Sequence, residues 1–288
     1  MKKGKLPNIY LGVILIIMYL PIVLVILYSF NYSKISSVWE GFSLRWYEAL
    51  FKDKALFEAL INSIILGVLS SLSAAVIGTL GAVGMFRSNF KGKGIIEYIS
   101  TLPIMVPEII LGMVFLVFFA LIGLPFGMIT LVIAHTTFCI PYIYMQVNAR
   151  LVGLDRSYVE AAKDLGAGEL RAFWDITLPL IRPAIISGIF LSFAMSFDDV
   201  VISIFVTGVN TNTLPIKIYT QLKTGITPEI NALCTLMVGV TILFVLLSSW
   251  IGSKKTSAKN RRSYHEKNII TDFNINPKSL FTIRMWFK

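Results

Sequence analysis

The chain has 288 residues, 56 % hydrophobic and 15 % charged, where an ordinary soluble domain carries about 25 % charge; the class indicated is a membrane protein. The net charge of +10 would suit a nucleic-acid binder only if the basic residues were gathered on one surface, and they are not. Two cysteines, Cys139 and Cys234, and two histidines, His135 and His265, are too few for a disulfide framework or a metal cluster, and no GxxxxGK[ST] loop offers a nucleotide site in this chain.

Six apolar runs are long enough to cross a bilayer, which takes about 20 residues: 8–30, 59–85, 99–122, 126–148, 183–206 and 230–252. The first follows a short basic segment, 1–7. It is too long for a signal-peptide core and lacks a small-residue cleavage site, so it reads as an uncleaved anchor helix. With the N-terminus in the cytoplasm, twenty Lys and Arg fall on inner segments and six on outer ones. That positive-inside bias accounts for the basic surplus and places both termini inside.

The outer segment after span one holds Trp46 and Tyr47 in "GFSLRWYEAL". These are either interface anchors or an aromatic face that greets an amine by cation–π attraction, about 0.5–2 kcal/mol. Span two, "GVLSSLSAAVIGTLGAVG", repeats small residues at four-residue spacing (Gly67/Ser71, Ala74/Gly78, Gly78/Ala82). It reads as a close-packing helix. Span three carries Pro103 and Pro107, which bend or break a helix and are tolerated beside protein or a water-filled cavity; this span is a candidate pathway wall. Span four holds His135, read as a hydrogen-bonded packing histidine rather than a proton relay.

Between spans four and five lies a charged cytoplasmic segment, 149–182. Ser157 and Glu160 fit a capping box that starts a helix near Tyr158, and Gly166 supplies a left-handed stop. "GELRAFWDITL" then forms a second short helix that Pro179 ends. The segment mixes Ala161, Ala162, Leu165, Phe173 and Trp174 with charges, as a helix laid in a partner's groove does.

The acids inside the spans are Glu108, Asp198 and Asp199, with no Lys or Arg in any span. A carboxylate in the membrane faces a cavity or a partner. It is protonated, or pairs with a neighbouring subunit's arginine, or meets a passing cation. Three acids without bases favour the last. Asp198 and Asp199, adjacent on a helix, point about 100° apart, so one can line the path while the other turns toward a neighbouring helix. Ser196 either adds a hydroxyl ligand or bonds back to its own helix. The tail, 256–288, is polar and basic, and its end carries no assigned role.

The stretch "EAAKDLGAGELRAFWDITLP" resembles the EAA signature of ABC-importer permeases, E-A-A-x3-G-x9-I-x-L-P, at Glu160, Ala161, Ala162, Gly166, Ile176, Leu178 and Pro179. The resemblance implies a coupling helix, with Asp164 and Glu169 among its polar residues, that docks on a separate ATP-hydrolysing subunit. Three further stretches look like the C-type second subunit of the spermidine/putrescine ABC permeases: "MYLPIVLVILYSFN", "GFSLRWY", and "FDDVVISIFVTG" followed by "LPIKIY". The similarity spans about residues 6–255; the tail departs from it.

The resemblance implies an all-α bundle of six transmembrane helices of the type I importer kind, in a bacterial cell membrane, with 8–255 as the permease domain. It implies a homologous second permease, two copies of an ATPase that alone hold ATP and Mg, and an external polyamine-binding protein. The chain itself would bind no cofactor and catalyse no covalent step. The substrate-pathway candidates are then Trp46, Tyr47, Glu108, Ser196, Asp198 and Asp199. An ABC permease for a metal chelate or an amino acid, and a proton-coupled secondary carrier, are the alternative readings.

Overall fold

The computed structural model describes residues 5–34, 38–155, 157–224, 228–240 and 242. The chain divides into two compact units. One comprises Met1–Ser33, Ser37–Tyr47 and Pro228–Lys288, the other Lys34–Ser36 and Glu48–Thr227.

The first unit starts with helix α1 (Lys5–Ser29) and contains the later apolar helix Pro228–Val240. After α1 the chain doubles back, with a single bridge between Asn31 and Phe42. Asn31 organises this turn: its side-chain oxygen accepts the backbone N–H of Ser33 and Glu40, and its backbone oxygen accepts the Trp46 indole N–H at 2.7 Å. Phe30 stacks on Phe42, ring centres 5.3 Å apart. Helix α2 (Arg45–Lys52) leads on into the second unit.

The second unit is built on three long helices: α3 (Lys54–Arg87), α6 (Met128–Val152) and α9 (Leu178–Asp198). Asp53 caps α3 by accepting the Leu56 N–H at 3.1 Å. The small residues of α3 make one buried stripe that includes Gly67, Ser71, Ala74, Gly78 and Ala82, as the four-residue spacing implies. A Cβ on Gly78 would lie 2.9 Å from Ile143 Cβ and 3.0 Å from the Ile140 carbonyl, and one on Gly67 2.8 Å from Phe193. Small residues therefore let α6 and α9 close on the α3 backbone, where dispersion holds helices together in lipid.

The span expected at 99–122 is two helices, α4 (Lys93–Met105) and α5 (Glu108–Leu121), bent by 105°. Pro107 is the cause. It bars the helical conformation at Val106, which is extended at φ −80°, ψ 131°. Pro103 stays inside α4, where its missing N–H removes one bond without ending the helix.

Beyond α6 come α7 (Ser157–Asp164) and α8 (Glu169–Ala172), then a π turn, Phe173–Thr177, that feeds α9. After α9 follow α10 (Val201–Val206) and α11 (Leu214–Thr224).

Three expectations need correction here. Pro179 does not end the second short helix: Glu169–Asp198 is continuous over 30 residues. The π turn widens the helix just ahead of Pro179, with Leu178 N–H bonded to Phe173 O, and Pro is well suited to that entry into α9. The span expected at 183–206 therefore starts earlier, and it breaks after Asp198. The capping box is also different: the Asp155 carboxylate, not Ser157, takes the first N–H, that of Ser157 at 3.0 Å.

Among the described residues four helices are long and apolar enough to span a membrane, five if the bent pair counts as one. The sixth expected span coincides with Pro228–Val240 and Ile242; the rest of it, like the tail from 256, lies outside the described residues.

Candidate functional site

Two places gather the residues singled out by the sequence. The first is the end of the second unit that carries the EAA stretch. Gly166 has φ +88° and closes α7: its N–H reaches Lys163 O at 2.9 Å and the Ala167 N–H reaches Ala162 O at 3.0 Å. Nothing lies within 4 Å of where a Gly166 Cβ would stand, so glycine is needed there for its backbone freedom alone.

The turn directs α7 and α8 so that Ala162 and Ala172 face inward, while Glu160, Ala161, Asp164 and Glu169 are exposed. Leu165, Leu170 and Trp174 stand 90, 77 and 61 % exposed. Ile176 and Leu178 are half-buried and Pro179 is exposed. Tyr158 is exposed as well; single exposed apolar residues are ordinary, but four on one short hairpin make a surface that a partner can cover.

Arg87, at the end of α3, reaches into this hairpin. Its guanidinium lies 5.7 Å from the Phe173 ring centre and makes a long hydrogen bond, 3.5 Å, to Thr177 Oγ1. Lys163 donates to Glu169 at 2.8 Å. That bond, with Arg87 adding to it, holds the Glu169 carboxyl below its usual range. The pair is exposed, so its worth is small. Between hairpin and bundle lies a cavity of about 570 Å³, lined among others by Arg87, Leu151, Asp155, Tyr158 and Glu160.

The second place is the break after α9. Asp198 and Asp199 do not share a helix, as expected from their adjacency. Asp198 is the last helical residue and Asp199 is extended at φ −66°, ψ 127°. The separation is sharper than 100° on a helix would make it: Asp198 is exposed and Asp199 buried. Asp199 turns back to cap α10, accepting the backbone N–H of Ile202 at 3.2 Å and of Ser203 at 2.8 Å, and the Ser203 hydroxyl at 2.8 Å.

His135, wholly buried on α6, lies between the two sides of the break. Its Nδ1 is 2.8 Å from Ser196 Oγ, and its Nε2 is 3.0 Å from Ser203 Oγ and 3.4 Å from the Asp199 carboxylate. Ser203 gives its one hydroxyl proton to Asp199, so His135 Nε2 is the donor to Ser203. Ser196 in turn meets Ser70 of α3 at 3.0 Å. Ser196 is thus neither a free ligand hydroxyl nor bonded back to its own helix; it is a link in a buried chain.

Glu108 opens α5, one turn before Gly112, and is exposed. No lysine or arginine pairs with Glu108 or Asp198 among the described residues. Trp46 is buried, its indole N–H is taken by the Asn31 carbonyl, and its ring is covered by the Arg45 guanidinium at 4.7 Å. Of its two readings, interface anchor or a face that greets an amine, the second meets a ring that already holds a cation of this chain. The Tyr47 hydroxyl pairs with Ser29 at 2.8 Å. Sequence reasoning saw His135 but not its partners: serines 126 residues apart in sequence, Ser70 and Ser196, give no local signal of meeting.

The binding-protein-dependent transport system inner membrane component family matches residues 74–253, which include the hairpin and the break. The chain belongs to this family. It is thus a transport-system permease component and not an enzyme.

Three relatives and neighbours of this permease component bear on its role. The spermidine/putrescine transport system permease protein PotC of Haemophilus influenzae is 39 % identical over 254 residues, covering 88 % of this chain and 99 % of the relative. The putrescine transport system permease protein PotI of Escherichia coli strain K12 is 43 % identical over 229 residues, covering 77 and 82 %. A bacterial ABC transporter that imports the acidic polysaccharide alginate matches in structure with a TM-score of 0.67 at 15 % identity, over 85 % of this chain and 95 % of its own. At that identity the likeness shows the fold alone.

Proposed function

We propose that this permease component is one of two homologous permease subunits of an ATP-driven importer that brings polyamines, spermidine or putrescine, into the bacterial cell. The observation that carries the cargo assignment is the exposed Asp198 carboxylate at the α9–α10 break, which has no ion-pair partner among the described residues, in a chain whose relatives are named for those amines. A polyamine carries several separated positive charges, and carboxylates such as Asp198 and Glu108 can replace its hydration one amine at a time.

The hairpin Ser157–Pro179 faces the cytoplasm and docks on an ATPase subunit through Leu165, Leu170 and Trp174. Two ATPase copies need two such hairpins, and this chain supplies one. ATP and Mg belong to those subunits. An external polyamine-binding protein delivers substrate to the opposite face. ATPase closure moves the hairpins, which move as rigid bodies, and the bundle switches its access.

The test is uptake of labelled spermidine by proteoliposomes containing the full complex. A charged hydrogen bond is worth about 1.5–3 kcal/mol, so Asp198→Asn should raise KM about 10- to 150-fold. Wild-type KM for spermidine in that variant would point to another cargo. Uptake that persists without ATP and collapses with an uncoupler would point to a secondary carrier.

A further inference from the structure

We propose that His135 is a positioning residue for the transport path: it clamps the two sides of the α9–α10 break and so fixes the direction in which Asp198 presents its carboxylate. This rests on the reading of Asp198 as a substrate-facing acid.

The break is an unusual object to hold still. At Asp199 the backbone leaves the helix, and Val200 re-enters it at φ −108°, ψ −38°. Asp198 sits on the last turn of α9, and its direction depends on how α9 and α10 are set against each other. One imidazole spans them. Nδ1 meets Ser196, two residues before Asp198, and Nε2 donates to Ser203, which holds Asp199 by both hydroxyl and backbone N–H.

With Nε2 donating, Nδ1 accepts the Ser196 proton, and Ser196 in turn accepts the proton of Ser70 at 3.0 Å, the Ser70 hydroxyl lying 2.7 Å from the Leu66 carbonyl. Five side chains from α3, α6, α9, α10 and the break thus form one connected series, all buried. The acid in the series is Asp199, and the other four are His135 and three serines; no further charged side chain pairs with it among the described residues.

Apolar residues of similar volume would fill the same space at less desolvation cost. A connected, mutually satisfied network instead specifies one arrangement, because any rotation about the break strands a buried donor or acceptor. Apolar packing has no such directionality. Asp199 is consumed by this role. It holds the break from within while Asp198 alone faces outward.

The experiment is spermidine uptake by the full reconstituted complex for His135→Leu, His135→Gln and Ser203→Ala, each also in an Asp198→Asn background. His135→Leu should raise KM at least fivefold, with Vmax falling by less than KM rises. Gln, which keeps one donor and one acceptor, should recover part of the loss. In the Asp198→Asn background the same change should leave KM within twofold of Asp198→Asn alone, because the direction of a missing carboxylate no longer matters.

A wild-type KM in assembled His135→Leu complex overturns the proposal. So does a loss that multiplies onto that of Asp198→Asn, which would mark a merely structural histidine. If His135→Leu does not assemble, His135→Gln and Ser203→Ala decide by the same two criteria. Asp198→Asn with a wild-type KM removes the substrate-facing reading and this inference together; Asp198→Asn with a raised KM beside inert His135 variants removes this inference only.

Discussion

Replacing Gly166 by alanine isolates backbone strain from contact at the hairpin proposed to dock on the ATPase. Gly166 sits at φ +88° with open space around its Cβ position, so the methyl group meets no atom of the described residues and the expected effect is conformational. An L-residue in the left-handed region costs about 1–2 kcal/mol. That penalty lowers the population of the turn that sets α7 against α8, and apparent affinity falls with the fraction of docking-competent chains. The ceiling on the loss is therefore about 5- to 30-fold in Kd.

Titrating the ATPase onto the permease complex in nanodiscs, by surface plasmon resonance, reads this directly. Gly166→Asn is the control, since Asn visits the left-handed region readily, and it should retain most of the affinity. Equal losses for Ala and Asn would mean that the partner contacts this position. No loss for Ala would mean that the turn is not what positions the docking surface. Either result refutes the strain account.

Three further outcomes are expected. A Cβ on Gly208 would collide with the Phe126 carbonyl oxygen, a backbone atom, so Gly208→Ala should destabilise the loops joining α5 to α6 and α10 to α11 by about 1–3 kcal/mol, seen as a lower thermal midpoint of the purified complex. Arg87→Ala removes both the Phe173 and Thr177 contacts and should lower transport per ATP hydrolysed, while Arg87→Lys, which cannot stack or fork, should recover little; equal coupling in all three proteins would show that Arg87 is idle. In Lys163→Ala the Glu169 carboxyl should titrate higher, back toward its ordinary range, in a carboxyl-carbon NMR titration. Because the folded-state value is depressed, the small stability the pair contributes is present above the ordinary carboxylate range and fades as pH falls through the folded value.

Much of the bundle is legible in local sequence. Apolar length marks α1, α3 and α6, the Gly67–Ala82 spacing marks the stripe of closest approach, and Gly166 marks the hairpin turn. What was missed lies in competition between signals. Pro179 reads as a stop, but the π turn ahead of it accommodates the ring and the helix runs on. Ser157 and Glu160 fit a capping box, yet Asp155 two residues earlier offers a charged acceptor and takes the N–H. Trp46 looks like a free aromatic until Asn31 and Arg45, neither of which announces itself, are found on its two polarities. The acids were found because charge in an apolar run is conspicuous; which of them is internal was hidden, since it depends on His135 and on serines from three other helices.

The unbroken passage from Glu169 to Asp198 makes one rod of about 45 Å at 1.5 Å per residue, with the hairpin proposed to dock at its foot and an acid at its tip. A tilt of about 5° at the foot swings the tip by about 4 Å over that length, more than the span of a hydrogen bond. Spin labels at the two ends would report that swing as correlated displacement, and independent movement would show a joint within the rod. A rod that kept its form through the π turn would carry a push at one end to the other without any intermediate signal.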